Sequence, residues 1–489
     1  MTAIDRPAAL VPAQVDGLVD MDSEDFRAAA HAAVDLMADY LASVEDYAVF
    51  PAVEPASIAP AFPTAAPETA EPIEAILADY RRLIEPNATH WQHPGFMAYF
   101  GTTASGAGII GEMLTAALGQ NAMLWRTSPI ATELEGVVVG WLRRAIGLPE
   151  AFDGLITDTA STSSLIALAG AREAASAGGA SDVGSMRVYA SAEAHSSIEK
   201  ACMTLGLGRR ALVKIPTNEC FELRADELAA AIARDRAAGL RPIAIVATVG
   251  TTSSTSVDPV SATADIAAAE DLWLHVDAAY AGAVAICPEL RAPFDGWERA
   301  DSVVVNPHKW LFTPLDASLL LTRRMETLRA AFSLVPEYLR TLDRETPVRD
   351  YNEYTPQLGR RFRALKLWML LRWFGLEGLR RRIRHHLELT ARFTEALDAA
   401  PDWERLAPVP FSTVCFRYRP ARLAGNEAAL DAANVAIMDA VNRSGEVFLS
   451  HTRLGGRFTI RLAVGNLRTE ARHVDRAWEL LQAAAAEVE

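Results

Sequence analysis

The chain has 489 residues, of which 50% are hydrophobic and 22% charged, a composition typical of a globular enzyme with two or three domains. Its formal net charge of −15 disfavours nucleic acid or an anionic membrane as the main partner. Its four cysteines are far apart and form no CxxC pair, which predicts neither a disulfide framework nor a zinc ribbon. Neither a secretory signal nor an apolar window of about 20 residues is found, so we expect a cytoplasmic protein.

The first predicted element is a helix over residues 22–44. Its apolar side chains recur every three or four residues, which places them on one stripe. They are Phe26, Ala30, Ala33, Met37, Tyr40 and Val44. Segment 51–72 contains six prolines and predicts an extended connector. Because a helix on such an arm cannot bury its stripe alone, we expect it to pack on its own chain or on a second subunit.

Residues 106–366 alternate between short β-rich runs and alanine-rich helical stretches. This alternation predicts crossover units and a largely parallel sheet, with the active site at the carboxyl ends of the strands. The predicted strands are 186–191, 242–249, 272–277 and 302–306, and the predicted helices include 226–237 and 261–270. Beyond residue 367, a long helical region, two strand-like runs and a closing helix near 470–487 predict a smaller α+β domain.

Two charged residues follow neighbouring predicted strands. Asp277 ends the strand 272–277, where a carboxylate can be a structural cap, a metal ligand or the partner of a buried cation. Lys309 lies between the valines of 302–306 and Trp310, where it either extends to solvent or serves as a neutral nucleophile. Lys309 comes 32 positions after Asp277, a spacing that suits one crossover, so we expect both at one edge of the sheet.

Three further segments place polar side chains at strand ends. In 157–173, small hydroxyl residues lead into a helix, whose positive end forms either a phosphate site or a plain capping cluster. His195 lies just past a strand, where a single histidine is more often structural than catalytic. The strand in 247–258 also ends in small hydroxyl residues.

Each feature is weak alone, but together they fit pyridoxal phosphate. This cofactor needs a lysine for its Schiff base, an anion near its pyridinium nitrogen, a phosphate cradle and a flat aromatic group over its ring. The four requirements would be met by Lys309, Asp277, Ala160 with Ser161, and His195. No metal is predicted.

Several motifs carry a resemblance to a known family: NPHKW, LHVDAAYAG, EAHSS, THWQHPGFMAYF, SPIATELE and LGRRFRALKLW. From about residue 20 onwards, the chain resembles the group II pyridoxal-phosphate decarboxylases, and among them the aromatic-L-amino-acid decarboxylases. The resemblance implies an α/β fold of type I, the aspartate-aminotransferase type, with a mostly parallel seven-stranded sheet and helices on both faces. It also implies a homodimer with active sites at the subunit interface. Residues 1–105 would form a helical arm on the partner, 106–366 the cofactor domain and 367–489 the small domain.

The resemblance implies roles for individual residues. Lys309 would form the Schiff base and Asp277 would contact the ring nitrogen. His195 would stack on the ring and meet the substrate carboxylate. The other cofactor contacts would come from Thr159, Ala160, Ser161, Thr252, Ala279, Asn306 and His308, the last without an assigned role.

The substrate side chain would lie in a pocket that includes Trp91, Tyr99, Phe100, Thr102 and Gly359. The aromatic residues of this set suit a flat ring better than a short acidic side chain, and a glycine in the last position accompanies indole substrates in plant relatives.

The resemblance also implies roles for residues in two further segments. Asn121 and Met123 match the contribution of the neighbouring subunit. More apolar residues are common there in close relatives, which leaves the preferred ring open. Tyr338, in a predicted mobile loop over 330–356, matches the tyrosine that reprotonates the substrate carbon.

The predicted reaction is decarboxylation of tryptophan, DOPA, tyrosine or phenylalanine to the amine and CO2. One alternative is an aromatic aldehyde synthase, which Tyr338 disfavours because those enzymes tend to lack the loop tyrosine. The others are a decarboxylase of acidic or diamino acids and a scaffold protein that keeps the fold without the chemistry.

Overall fold

The computed structural model describes residues 20–176, 182–334 and 348–488. The chain divides into two compact units, residues 1–90 and 91–489. The finer division at residues 105 and 366 stays a prediction.

The first unit contains helices α1, Ser23–Ser43, and α2, Ile73–Asp79. Helix α1 begins where the sequence predicts, because the Asp22 carboxylate accepts the N–H groups of Glu24 and Asp25 at 2.9 Å. None of its residues is buried, and Phe26 on the predicted stripe is 59% exposed. Segment 51–72 carries only one 3₁₀ turn, Ala59–Ala61, which confirms the predicted connector.

The second unit is built on a seven-stranded sheet with the order β1-β7-β6-β5-β4-β2-β3. Strands β3, β2, β4, β5 and β6 are parallel, whereas β7 runs antiparallel to both of its neighbours. The strands are β1 Asp153–Thr157, β2 Met186–Ser191, β3 Leu212–Ile215, β4 Arg241–Thr248, β5 Trp273–Asp277, β6 Ser302–Val305 and β7 Ser318–Thr322. The prediction of a mostly parallel sheet is therefore confirmed.

Among its described residues, this unit has seven α-helices before the long helix that begins at residue 363. They are α3 Gly106–Leu118, α4 Pro129–Ala145, α5 Ala160–Ser176, α6 Ser196–Thr204, α7 Ala225–Ala237, α8 Val260–Ala269 and α9 Met325–Phe332. Both faces of the sheet are covered, as predicted. Because side chains alternate along a strand, Ile245 and Ala247 of β4 join one apolar cluster, which includes residues of α4, α7 and α8. Ala244 and Val246 join the other, which includes residues of α5, α6 and α9.

The C-terminal part has the predicted α+β character. Strands β8 Trp403–Arg405, β9 Thr413–Tyr418, β10 Ser450–Leu454 and β11 Arg457–Ala463 form an antiparallel sheet in the order β10-β11-β9-β8. The helices are α10 Arg363–Asp398, α11 Glu427–Arg443 and α12 Ala471–Glu487. Helix α10 is kinked at Gly375, where φ is +59°. Its first half packs in the large core through Leu367 and its second half in the small core through Phe393.

The crossover between β5 and β6 brings the predicted site residues to one edge of the sheet. The connecting chain forms short 3₁₀ turns rather than an α-helix, because Pro288 and Pro293 interrupt it. None of the helices in the described ranges combines the length and apolar character needed to cross a bilayer.

Candidate active site

A cavity of about 210 Å³ lies at the carboxyl edge of β4, β5 and β6. It is lined by Phe100, Thr159, Ala160, Ser161, His195, Thr248, Gly250, Thr252, Asp277, Ala279, Tyr280, Asn306, His308 and Lys309. All ten residues that the sequence predicts around the cofactor are in this set. The structure thus brings them together, while their individual roles stay predictions.

The parallel pairing of β5 and β6 explains why Asp277 and Lys309 share this cavity. Asp277 lies opposite Val304 in the register, and the N–H of Ala278 donates to the Val304 carbonyl at 3.1 Å. The Asp277 carboxylate accepts the N–H of Ala279 at 3.1 Å, which orients it at the end of β5. The chain beyond β6 then turns at once and places Lys309 on the same edge.

The environment of Lys309 favours its neutral amine. Enclosure by the cavity walls lowers the pKa of Lys309, and the carboxylate of Asp277 opposes part of that effect. The amine nitrogen lies 5.1 Å from the centre of the Phe100 ring. A lysine whose pKa is lowered is a better nucleophile toward an aldehyde at neutral pH.

His195 is held by the start of helix α6. Its Nδ1 accepts the backbone N–H of Ser197 at 3.1 Å, so a neutral ring carries its proton on Nε2. Burial lowers the pKa of His195, with Asp277 raising it and Lys309 lowering it further. The imidazole is therefore a flat, neutral group in the cavity wall at pH 7.

His308 is neutral for a similar reason. Burial, with the charge of Lys309 adding to it, lowers the pKa of His308 to about 4. Its Nδ1 accepts the N–H of Ala317 at 3.0 Å, which ties the turn around Lys309 to the start of β7.

The first residues of α5 provide a site suited to an anion. Thr159, Ala160 and Ser161 lie where the helix begins, so its positive end faces the cavity that they line. Beneath them, the hydroxyl of Ser163 lies 2.7 Å from that of Thr157 and 2.9 Å from that of Ser318.

Two unsatisfied polar atoms show that the cavity suits a polar ligand. In the described part of the chain, six buried side-chain nitrogen or oxygen atoms have no hydrogen-bond partner, and Thr248 Oγ1 and Asn306 Oδ1 are two of them. Both residues line this cavity. Because a buried polar atom without a partner costs free energy, a ligand that bonds to both would be favoured. The residues present therefore fit pyridoxal phosphate.

Sequence reasoning missed three residues of the lining: Thr248, Gly250 and Tyr280. Gly250 has φ +89°, and a Cβ there would lie 2.8 Å from the Ala281 Cβ, so only glycine fits. The Tyr280 ring stacks on Phe100 at 3.7 Å between centroids and on Trp310 at 4.9 Å. Thr248 and Gly250 lie in the hydroxyl-rich strand end 247–258, which was the available signal, whereas no local pattern indicates the stacking of Tyr280.

Several predicted substrate contacts do not line this cavity. Phe100 does, but Trp91, Tyr99, Thr102, Met123 and Gly359 lie outside its wall. Trp91 and Tyr99 form an exposed stack with 6.1 Å between ring centroids, and a Cβ on Gly359 would meet open space. Their substrate roles stay predictions, and Tyr338 lies outside the described residues. Within the described ranges, no group of three or more His, Cys, Asp or Glu side chains is placed to hold a metal ion.

Comparison with known sequences places the chain in a family. A family profile described as "Pyridoxal-dependent decarboxylase conserved domain" matches residues 55–419. The chain is 41% identical to a phenylacetaldehyde synthase of Arabidopsis thaliana, over 95% of this chain and 96% of that protein. It is 40% identical to tyrosine decarboxylase 2 of Narcissus pseudonarcissus, over 96% of this chain and 95% of that protein.

Solved structures agree with this placement. The crystal structure of Oryza sativa TDC with PLP and tryptamine superposes with a TM-score of 0.93 and 36% identity, over 96% of this chain and 99% of that one. Catharanthus roseus tryptophan decarboxylase in complex with L-tryptophan has a TM-score of 0.91 and 37% identity, over 96% of this chain and all of that one (100%). The fold and cavity thus define a pyridoxal-phosphate enzyme of fold type I. Within that class, the chain belongs to the pyridoxal-dependent decarboxylase family.

Proposed function

We propose that the protein decarboxylates an aromatic L-amino acid with pyridoxal phosphate and releases the corresponding amine and CO2. The observation that carries the proposal is a single cavity that combines Lys309, Asp277 and the start of helix α5 with two unpartnered polar atoms. The names of the relatives, which include tyrosine and tryptophan decarboxylases, support an aromatic substrate. Tryptophan, DOPA, tyrosine and phenylalanine are the substrates to test.

The residues of the cavity would divide the task among them. When bound, pyridoxal phosphate accepts the electron pair that a departing carboxylate leaves on the α-carbon. Lys309 would hold the cofactor covalently through its amine. Asp277 would favour a proton on the ring nitrogen, because a nearby anion stabilises the cationic form.

The other residues of the cavity wall would hold the cofactor and orient the substrate. Thr159, Ala160 and Ser161, together with Asn306, would bind the phosphate through the positive end of α5 and through hydrogen bonds. His195 would present its flat neutral ring to the cofactor and its Nε2 proton to the substrate carboxylate. Thr252, Ala279 and His308 would complete the contacts.

The aromatic surface of the second unit supports an aromatic substrate. Phe100 and Tyr280 stack in the cavity wall, and Trp91 stacks on Phe96 with 4.2 Å between centroids. We propose that Trp91, Tyr99, Phe100, Thr102, Met123 and Gly359 contribute to the substrate pocket. Flat rings gain both buried area and favourable ring contacts in such surroundings.

The test of the proposal is a substrate panel. The purified protein, supplied with pyridoxal phosphate, is incubated with each of the four aromatic amino acids, with glutamate and with 2,4-diaminobutyrate, and amine and CO2 are quantified. We expect release from at least one aromatic substrate at a kcat/KM well above that for the others. Release from glutamate or 2,4-diaminobutyrate alone would identify a decarboxylase of acidic or diamino acids instead.

An aldehyde synthase is the second candidate, because the chain is 41% identical to a phenylacetaldehyde synthase. We propose that Tyr338 reprotonates the α-carbon and so directs the reaction to the amine. Tyr338→Phe should then divert product toward aldehyde and hydrogen peroxide. Aldehyde from the wild type, or unchanged amine yield from the variant without peroxide, would contradict this role.

We further propose a cytoplasmic homodimer in which residues 1–105 form an arm on the partner, 106–366 the cofactor domain and 367–489 the small domain. The support is exposed apolar surface: Phe26 and Val34 on α1, and Ile110 and Leu114 on α3. Sedimentation should show a dimer for the wild type and a weakened one for Phe26→Glu with Val34→Glu. Glutamates at the solvated positions Ala28 and Ala32 of α1 are the control, and a dimer equally weakened by both pairs would contradict a role for the exposed apolar surface of α1.

A further inference from the structure

The most deeply buried ion pair of the described residues joins Glu135 of α4 to Arg360, which precedes α10. Both side chains are 2% exposed, and Arg360 Nη2 donates to Glu135 Oε1 at 2.7 Å. A buried pair of this kind is weak evidence for stability, because desolvation offsets much of the attraction. The role of the pair therefore depends on the other groups to which the two side chains bind.

One group that they hold is the outer edge of β1. This strand ends the seven-stranded sheet, and among the described residues β7 is the one strand with which it pairs. On its free side, the N–H of Ile156 donates to Glu135 Oε1 at 2.8 Å, and the Ile156 carbonyl accepts from Arg360 Nη2 at 3.0 Å. The pair thus satisfies the backbone groups that a neighbouring strand would otherwise satisfy.

Strand β1 leads directly to the proposed phosphate site. Ile156 is four residues before Ala160, the first residue of α5. Thr157, which follows Ile156, donates a hydrogen bond from its hydroxyl to the Thr159 carbonyl at 3.2 Å. A shift of Ile156 along the sheet edge would therefore also displace the start of α5.

The same arginine holds a second segment, residues 121–123. Arg360 Nη1 donates to the Ala122 carbonyl at 3.1 Å, and the N–H of Ala122 donates to the Arg360 carbonyl at 2.8 Å. The backbone N–H of Arg360 donates to Asn121 Oδ1 at 3.0 Å. Beside these contacts, the guanidinium carbon lies 4.4 Å from the centre of the Tyr351 ring. One side chain therefore sets the spacing between β1 and the segment that contains Met123.

We propose that Arg360 and Glu135 are positioning residues that hold the phosphate-binding start of α5 at a fixed distance from segment 121–123, which would contribute to the substrate pocket of the neighbouring subunit. This inference rests on the proposed function of the cavity. Neither residue lines the cavity, and of the proposed reactive groups Asp277 ends β5 and Lys309 lies in the turn after β6. Loss of the pair should therefore weaken binding of cofactor and substrate more than it slows the chemical step.

The test uses Arg360→Lys, which keeps the charge, and Glu135→Gln, which keeps the shape of the side chain. Both substitutions disturb the hydrogen bonds that join Arg360, Glu135 and Ile156. Arg417→Lys is the matched control, because Arg417 is 3% exposed in its side chain and bonds to Glu427 at 2.7 Å on the small sheet. The pyridoxal phosphate dissociation constant is measured by titrating each apo-protein and following visible absorption. Thermal unfolding of each apo-protein and KM against kcat are also measured.

We expect both site variants to raise the cofactor dissociation constant and KM by about tenfold, the usual loss for a charged hydrogen bond, with kcat changed much less. Arg417→Lys should lower the unfolding temperature without changing the dissociation constant. The double variant should be less than additive, since both changes disturb the same contacts.

A purely structural pair would give a different pattern. Site variants that lower the unfolding temperature as the control does, with wild-type cofactor affinity and KM, would overturn the proposal. If Arg360→Lys fails to fold, the isosteric Glu135→Gln decides by the same criteria. A wild-type protein that takes up no pyridoxal phosphate would overturn the proposed function itself, and with it the basis of this inference.

Discussion

The two ends of the seven-stranded sheet differ in how their polar groups are satisfied. At the amino ends of the strands, a cavity of about 530 Å³ is lined by charged residues that include Arg236, Glu270, Asp301 and Arg324. These charges bind one another: Arg236 Nε donates to Glu270 at 2.7 Å, and Arg324 Nε to Asp301 at 3.0 Å. The cavity at the carboxyl ends is smaller, about 210 Å³, yet two of its polar atoms have no partner.

Unpartnered polar atoms therefore distinguish the carboxyl end of the sheet, where the proposed site lies, better than cavity volume does. A charge that is already paired has little to gain from a ligand, whereas an unpartnered buried oxygen has a hydrogen bond to gain. Parallel strands add a directional reason, because the helices that follow them begin at the carboxyl edge and direct their positive ends there. Substitutions at the two ends should therefore have unequal effects.

The largest effect is expected for Lys309→Ala. Without the amine, the cofactor cannot be held covalently, and activity should fall to below about a thousandth of the wild-type rate. The measurement is visible absorption of the cofactor-loaded protein before and after borohydride reduction, followed by mass analysis for a bound cofactor. Arg236→Gln at the amino edge is the control and should behave as wild type. A wild-type absorption band that survives in Lys309→Ala would contradict the assignment.

Asp277→Asn should come next, with cofactor still bound but turnover reduced about a hundredfold, since the charge that supports a protonated ring is lost. A pH effect sharpens this prediction. Burial lowers the pKa of Lys309 and Asp277 raises it, so removal of the carboxylate should lower that pKa further. The rate of cofactor uptake by apo-protein, followed against pH, should then rise at lower pH in the variant. A shift to higher pH, or normal turnover, would count against Asp277.

A moderate effect is expected for Thr248→Val, which removes a hydroxyl without a hydrogen-bond partner. The apo-protein should lose no stability, whereas cofactor affinity should fall by about fivefold to tenfold. Thr263→Val is the matched control, because the Thr263 hydroxyl is fully buried and donates to the Val260 carbonyl at 2.8 Å. That control should cost about 1 kcal/mol of the free energy of unfolding and leave cofactor affinity unchanged. If Thr248→Val lost stability but kept its cofactor affinity, unpartnered polar atoms would not distinguish the two ends of the sheet.

The smallest effect is expected at the amino edge. Glu270→Gln breaks the pair with Arg236, whose side chain is 47% exposed, so the free energy of unfolding should change by less than about 1 kcal/mol. Cofactor affinity and kcat should match the wild type. A large loss of activity would show that this edge also serves the reaction.

Local patterns were enough to predict the strands that position the site. The predicted strands 186–191, 272–277 and 302–306 agree with β2, β5 and β6 within one residue. The agreement is close because each apolar run and the polar residues that end it are adjacent in the sequence. The placement of Asp277 and Lys309 followed from the rule that parallel strands end at one edge. Strands β1, β3 and β7 are not among the predicted strands.

The sequence alone therefore determined the strand–helix alternation and the placement of Asp277 and Lys309 at one edge of the sheet, because both depend on spacing along the chain. Further predicted cofactor contacts, such as Thr252, Ala279 and His308, came from the resemblance to the family. Only the tertiary structure decided which groups meet across long separations. Phe100 stacks on Tyr280, and Arg360 reaches Glu135 across 225 positions. Such contacts arise from how layers pack in three dimensions, and no local periodicity encodes them.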